Sequence, residues 1–422
     1  MTDGDRSKAW RRWRIGIFAS TWWAYAGLYF CRKTFYAAKD PLSDALGFDE
    51  RALGMLGAIY LVAYTIGQFA AGGLGQKTGP RVLFLSGMAV SVVANIAFAF
   101  TNEFWVYGAF MAVNGLAQAT GWAACMGTLG NWTTRTERGT IMGFWATCYQ
   151  LGGVMATSWA GLWISLQGWR GSFLAGSVVL LGSWFFVLCC QRDRPEDVGL
   201  PAVDDGESVE AGVEGKGERA QWTRAILTTI VLVGLCYVGI KFIRYTVWSW
   251  SAYFLSDYYG LTPGRAAVYS TIFDTGGFLG VIAAGWASDR YFEGRRAKLS
   301  FFMLLGMAGG CAVLFLLGGQ SVAWFLTGMI LVGFMLYGPD SLLSGAGAIE
   351  VGSRRTAVAA AGIINGMGSF GAVVQEFVVA ELYSQNGQDV GAVFGLLLWG
   401  ALLSLGALGW VLWRNRRGIS DL

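Results

Sequence analysis

Long apolar runs recur along the whole chain with few charges inside them, and ~20 apolar residues in helical form suffice to cross the hydrocarbon core of a bilayer. Lipid offers no hydrogen-bond partner to open backbone, so spanning segments are helices or the strands of a closed barrel. The runs are too long for barrel strands, which need roughly 9–11 residues. An all-α membrane protein is therefore expected. Composition agrees: 55% of residues are hydrophobic and only 14% charged, against roughly 25% charged in a soluble domain.

Breaks at charged, Gly or Pro residues place six spans near 15–36, 53–75, 82–101, 105–129, 139–166 and 172–190. A hydrophilic stretch, 191–221, rich in Gly, Asp and Glu, reads as a flexible linker. Six more spans follow near 222–255, 266–288, 299–318, 323–348, 356–382 and 390–413. The expected organisation is an N-terminal six-helix bundle (1–190), the linker, and a C-terminal six-helix bundle (222–422).

The distribution of basic residues supports this count and orients it. Of 31 Lys and Arg, only Lys39, Arg51, Arg170 and Arg265 fall in loops on the side away from the termini. Positive charge accumulates on the cytoplasmic face, so both termini and the linker are expected in the cytoplasm. The first run follows Trp10, Arg11, Arg12, Trp13 and Arg14 and has no small-residue cleavage site after it, which reads as a retained span.

The halves also look like copies. Gly72 to Arg81 follows the second span and Gly285 to Arg296 follows the eighth; both turns carry a Gly, a polar residue, a second Gly and an Arg. Arg32 and Arg244, each inside a span, are separated by nearly the same interval as Gly72 and Gly285. Internal repeats of this kind place a substrate site near the bilayer midplane, where the repeats meet. Gly72, Arg81, Gly285, Asp289 and Arg290 are the candidate gating residues of the two turns. GxxxG spacing at Gly276 and Gly280 and at Gly362 and Gly366 reads as close helix packing.

Several chemistries are excluded or disfavoured. Seven cysteines all lie in apolar segments with no metal-type spacing, and the chain has no histidine, so no metal, disulfide framework or imidazole relay is expected. The Gly-Leu-Gly-Gln-Lys-Thr stretch at 73–78 fails as a phosphate loop because Gly and Lys are not adjacent. No cofactor, ATP-driven step or enzymatic activity is expected. Basic residues scattered among short loops follow topology and do not indicate nucleic acid; the partners expected are the lipid bilayer and a small solute. The sequon at Asn131, Trp132 and Thr133 falls on the cytoplasmic side and is expected to be unmodified.

Charges inside spans carry the functional reading. Arg32 and Lys33 in the first span, and Lys241 and Arg244 in the seventh, each cost roughly 2.5–3.5 kcal/mol at a helix centre, so they are retained for a purpose. Helical spacing puts Tyr25, Tyr29 and Arg32 on one face, and Lys241, Arg244 and Trp248 on another. A guanidinium fork holds a phosphate or carboxylate through two parallel bonds, and two such forks clamp a dianion. Tyr60, Tyr64 and Gln68 form a polar stripe on the second span, as do Trp145 and Tyr149 on the fifth. Asp274, Asp340 and Glu376 are the acids inside spans. Four positive against three negative charges favour an anion; Asp274 is a candidate to hold Arg32, Lys33 or Arg244 between substrates, and Asp340 and Glu376 are candidate proton sites or partners of the lysines.

These residues resemble the major facilitator superfamily and, within it, the organophosphate:phosphate antiporters. The twin turns are general to the superfamily. Finer matches are Tyr29 to Phe35, Asn114 to Cys125, Glu137 to Gly139, Pro195 to Leu200 and Ile243 to Trp250. The first two look like the glucose-6-phosphate translocase branch, and the seventh-span arginine looks like the bacterial glycerol-3-phosphate and hexose-phosphate carriers. The resemblance implies rocker-switch exchange of a phosphate ester for inorganic phosphate; a monomer in the bacterial inner membrane is expected. It implies that Arg32 and Arg244 bind the phosphoryl group, that Tyr25, Tyr29, Tyr64, Trp122 and Trp145 are pore aromatics, and that Asp274 is the eighth-span carboxylate. The chain departs from the family at Gln68, where a lysine is usual, at Tyr149, where the glycerol-3-phosphate carriers have histidine, and at Ser249, often aspartate; Asp340 is an added acid. The other readings are proton-coupled symport of a carboxylate or other organic anion using Asp274, Asp340 or Glu376, and a receptor-like membrane sensor of the same ligands.

Overall fold

The computed structural model describes residues 3–134, 137, 141–142, 144–203, 224–292, 296–344 and 354–417. Their regular structure is helical: α1 (Asp3–Phe30), α2 (Lys33–Ala37), α3 (Lys39–Leu46), α4 (Glu50–Thr78), α5 (Pro80–Phe100), α6 (Phe104–Trp132), α7 (Thr147–Cys190), α8 (Arg224–Asp257), α9 (Pro263–Ser270), α10 (Ile272–Tyr291), α11 (Arg296–Leu317), α12 (Val322–Ser344), α13 (Arg354–Gln385) and α14 (Val390–Arg416). Two further short segments are 3-10 helices.

Among the described residues nine helical stretches are long and apolar enough to cross a membrane. One, α7, is two spans run together: Gly168 adopts φ 71° and ψ −174° inside it. A side chain rarely tolerates that backbone, so glycine turns the chain there without a loop. Two more spans, α1 and α6, fall short on hydropathy because α1 is rich in Trp, Tyr, Ser and Thr and α6 carries Asn114 and Gln118. Twelve spans result, six in each half of the chain.

Contacts divide the chain into two compact units: Met1–Leu42 with Ile59–Lys216, and Ser43–Ala58 with Gly217–Leu422. In the first, α1 packs on α7 and α6, and α5 on α6 and α7. Small residues bring these helices close. A Cβ on Gly67 of α4 would lie 2.7 Å from the Ala119 methyl, and one on Gly115 of α6 would lie 2.5 Å from the Tyr60 carbonyl oxygen. In the second unit, α10 and α11 pack on α12, α13 and α14 on α8, and α11 on α14. Gly276 and Gly280 meet the expectation of close packing, since a Cβ on either would collide with the α12 backbone at Ile330 or Phe334. Gly366 does not: it faces open space. The Gly362 side-chain position lies outside the described residues.

Three local features differ from the sequence reading, and each bears on function. The first span is not one helix. After Phe30 the amides of Cys31 and Arg32 bond back three residues, to Leu28 (3.2 Å) and Tyr29 (3.0 Å), and the helix restarts at Lys33. Arg32 sits at this break. Lys39, expected in an exterior loop, is instead fully buried in α3, its ammonium 5.4 Å from the Tyr36 ring. Its aliphatic stem and the ring make that burial tolerable. Finally, the two expected gating turns are mostly helix: α4 continues to Thr78 and α5 starts at Pro80, leaving Gly79 (φ 82°) as the turn, while Gly285, Asp289 and Arg290 lie within α10.

Candidate functional site

In the first unit the helix break presents Arg32 to α4 and α6. Its Nε donates to Gln118 Oε1 at 2.9 Å. That amide is itself fixed: Gln118 Oε1 accepts the Tyr60 hydroxyl (3.1 Å) and its Nε2 donates to Ser91 Oγ (3.1 Å) and Asn114 Oδ1 (3.3 Å). Asn114 in turn donates to the Cys31 carbonyl (3.1 Å) at the break. One network therefore ties the end of α1 to α4, α5 and α6 and sets the guanidinium plane. The tyrosine rings do the rest, with Arg32 Cζ 4.9 Å from the Tyr29 centroid, 4.8 Å from Tyr64 and 6.0 Å from Tyr60. Arg32 Nη2 is buried and has no hydrogen-bond partner among the described residues.

The other predicted aromatics gather around Tyr25. Its centroid lies 5.2 Å from Trp145 and from Tyr149, 6.2 Å from Tyr29 and 6.4 Å from Trp122. Trp122 is 6.0 Å from both Trp145 and Tyr149. Trp145 is anchored by an indole bond to Thr21 Oγ1 (3.2 Å), whereas the buried Tyr149 hydroxyl has no partner among the described residues. A face of rings beside a cation, with one guanidinium nitrogen and one phenol unsatisfied, suits a ligand with an anionic group and a hydroxylated or apolar body. Gln68 is half-buried and makes no hydrogen bond to this group among the described residues.

In the second unit α8, α10, α12 and α13 supply the predicted charges. Arg244 Nη1 pairs with Asp340 Oδ2 at 2.5 Å, and its Cζ lies 4.6 Å from the Tyr337 centroid. The Tyr337 hydroxyl donates to Asp274 Oδ1 at 2.6 Å, so Tyr337 connects the arginine to the α10 carboxylate. Lys241, one turn earlier on α8, lies among rings, 5.3 Å from Tyr237 and 5.6 Å from Tyr245. Lys33, in the first unit, is buried at the start of α2.

Glu376 is fully buried and accepts the Ser249 hydroxyl at 2.6 Å. The residue at Ser249 now has a physical reason: an aspartate there would set two carboxylates in contact. Gly57, grouped with this unit, leaves room for the same carboxyl, because a Cβ on it would lie 2.6 Å from Glu376 Cδ.

Of the proposed gating residues, Arg81 is tied down locally. Its amide donates to Asp193 Oδ1 (2.7 Å) and its Nη2 to the Leu188 carbonyl (2.5 Å). Burial raises the Asp193 carboxyl above the ordinary aspartate range, against the pull of the Arg81 amide. Arg290 is exposed and Gly285 faces open space. The side-chain positions of Gly72 and Asp289 lie outside the described residues, as do 204–223 of the linker.

Gln118, Asn114 and Ser91 were not read as functional from sequence. The signal was present, since Asn114 and Gln118 are one helical turn apart inside an apolar run, but polar amides in spans equally serve helix packing.

The family model of the Major Facilitator Superfamily matches residues 21–375. The chain is 30% identical over 395 residues to a probable hexose phosphate transport protein of Chlamydia pneumoniae, covering 89% of this chain and 86% of that protein. It is 29% identical over 393 residues to the membrane sensor protein UhpC of Escherichia coli, covering 90% and 89%. Among solved structures, a bacterial homologue of the human lysosomal transporter Spinster, inward-facing and occupied, matches with a TM-score of 0.75 at 12% identity, covering 96% of this chain and 97% of that one.

Proposed function

The chain belongs to the major facilitator superfamily, and within it to the organophosphate:phosphate antiporter family; from that premise we propose that it carries a phosphate ester, such as a hexose phosphate, across the membrane in exchange for inorganic phosphate. Arg32 and Arg244 are the phosphoryl-binding residues of this reading. Lys241 adds charge, Tyr25, Tyr29, Tyr64, Trp122, Trp145 and Tyr149 contact the body of the ester, and Asp274, Asp340, Glu376 and Lys33 are the groups that exchange partners during the cycle.

The observation that carries the reading is Arg32: a guanidinium held through Nε by Gln118, enclosed by tyrosines, with Nη2 buried and unsatisfied. A buried donor without an acceptor costs about 1–3 kcal/mol, and more when charged. A phosphoryl oxygen removes that cost. The tyrosines make the recognition selective for esters with a hydroxylated body, because their faces and hydroxyls suit a sugar ring.

A second reading rests on Arg244. Its ion pair with Asp340 must open before an anion reaches it, and a proton on Asp340 opens it, so uptake coupled to protons is the alternative. Both readings place the protein in the bacterial inner membrane as a monomer with its termini in the cytoplasm. Purified protein in liposomes loaded with phosphate tests them. Exchange requires labelled phosphate to enter loaded vesicles and not empty ones. Uptake into empty vesicles that an uncoupler collapses selects the proton-coupled reading. Binding of a hexose phosphate with neither flux removes transport and leaves a sensor, as the Escherichia coli relative is named.

A further inference from the structure

Outside the ligand-binding region, the first unit carries a groove of about 700 Å³ between α1, the residues Ile141, Phe144 and Thr147 at the entry to α7, and Phe186 near the end of α7. Phe18, Trp22 and Trp23 of α1 line one wall, and Phe144, Thr147 and Phe186 the other. The Trp22 indole donates to Thr147 Oγ1 at 3.0 Å, which fixes the floor. Phe144 and Trp23 remain exposed at 69% and 37%. Among the described residues no charged side chain lines the groove, so its walls suit neither a phosphate ester nor another polar solute.

Charge lies directly along the helix from it. Arg11 is seven residues before Phe18, and Arg12 seven before Ala19, so both share the face of α1 that forms the groove. Seven residues of helix advance roughly 10 Å. Both arginines are exposed, and neither has an ion-pair partner among the described residues. Arg14, on an adjoining face, is instead paired with Glu137 at 2.5 Å. An apolar slot at membrane depth with two uncommitted guanidinium groups about 10 Å nearer the water matches one molecule end to end: the first carbons of an acyl chain and the phosphate above them.

We propose that this groove is a binding site for an anionic phospholipid, one acyl chain lying between Phe18, Trp22 and Phe144 and the phosphate held by Arg11 and Arg12. Arginine suits the role because its fork pairs bidentately with phosphate, and a juxtamembrane basic cluster concentrates anionic lipid.

Native mass spectrometry of the full chain, with phosphatidylglycerol or phosphatidylethanolamine of identical acyl chains added, tests the site. The wild-type protein should retain phosphatidylglycerol at least fivefold over phosphatidylethanolamine. In Arg11→Gln/Arg12→Gln that preference should fall to near unity. Ala19→Trp, which fills the groove, should lower retention of both lipids. Arg416→Gln/Arg417→Gln removes equal charge from the exposed end of α14 and should leave the preference intact. An unchanged preference in the Arg11/Arg12 variant overturns the proposal. So does an equal loss in the Arg416/Arg417 variant, which would mean general attraction to basic ends, or undiminished retention in Ala19→Trp.

Discussion

Gln118 accepts a hydrogen bond from Arg32 Nε at 2.9 Å while accepting another from Tyr60 at 3.1 Å. A neutral amide therefore positions the cation without neutralising it. Glutamate at the same place would keep an acceptor for Arg32 and Tyr60, lose the donor to Ser91 and Asn114, and cancel the charge. Gln118→Glu is expected to fold but to lose at least tenfold in phosphate affinity, read by isothermal titration. Affinity equal to the wild type would mean that Arg32 is not the anion's partner.

Replacing either arginine by lysine keeps the charge and removes the fork. Hydrogen bonds to charged groups are worth about 1.5–3 kcal/mol, so Arg32→Lys and Arg244→Lys should each weaken phosphate exchange by at least tenfold. Proteoliposome counterflow measures this, and near-normal rates in both variants would remove the two arginines from the mechanism.

At Asp340 the expected direction is opposite. Asp340→Asn keeps a hydrogen-bonding partner for Arg244 but releases its charge to the substrate. Phosphate should bind up to about tenfold more tightly at neutral pH, and turnover should fall because release becomes slower. Asp340→Ala removes the carboxylate that the partly buried Arg244 pairs with and should instead lower the melting temperature.

Much of this arrangement was legible in the sequence, and the reason is cost. Arg32, Lys33, Lys241 and Arg244 stood out because lipid penalises charge, and Tyr25 and Tyr29 followed from helical spacing. The Arg244–Asp340 pairing was not legible. It joins residues 96 apart in sequence on α8 and α12 and depends on the rotation of both helices. Lys39 misled because Lys, Asp and Pro in succession read as a loop, whereas α3 buries it beside Tyr36. The break at Arg32 left no mark, since neither Gly nor Pro stands there.

Close packing distinguishes two glycines of similar appearance. Gly280→Ala would drive a methyl into the Phe334 backbone carbonyl, and overpacking of this kind costs about 1–3 kcal/mol. Gly366→Ala, in an open helical position, should be neutral or stabilise by up to about 1 kcal/mol. Thermal unfolding in detergent separates the two, and equal shifts would contradict the packing of α10 on α12.

Acid should act first at the membrane edge. The Arg14 guanidinium holds the Glu137 carboxyl at about 2, below its ordinary value of 4.5. A lowered folded-state value favours the folded form above pH 4.5, and that contribution fades as pH falls toward 2. Asp193 runs the other way: burial raises it, so its ionised form opposes folding increasingly as pH climbs above the ordinary aspartate range. Asp193→Asn should therefore keep the bond to the Arg81 amide and be at least as stable as the wild type at pH 7, while Asp193→Leu should cost about 1–2 kcal/mol by uncapping α5. Melting curves across pH check both signs.

Gly168 has a practical consequence. Because one left-handed residue replaces a connecting loop, the fifth and sixth crossings leave no slack at that surface for a tag, a protease or an antibody to engage. Any insertion there would have to pull two neighbouring membrane segments apart, so that rim of the protein should tolerate neither epitope insertion nor chain cleavage.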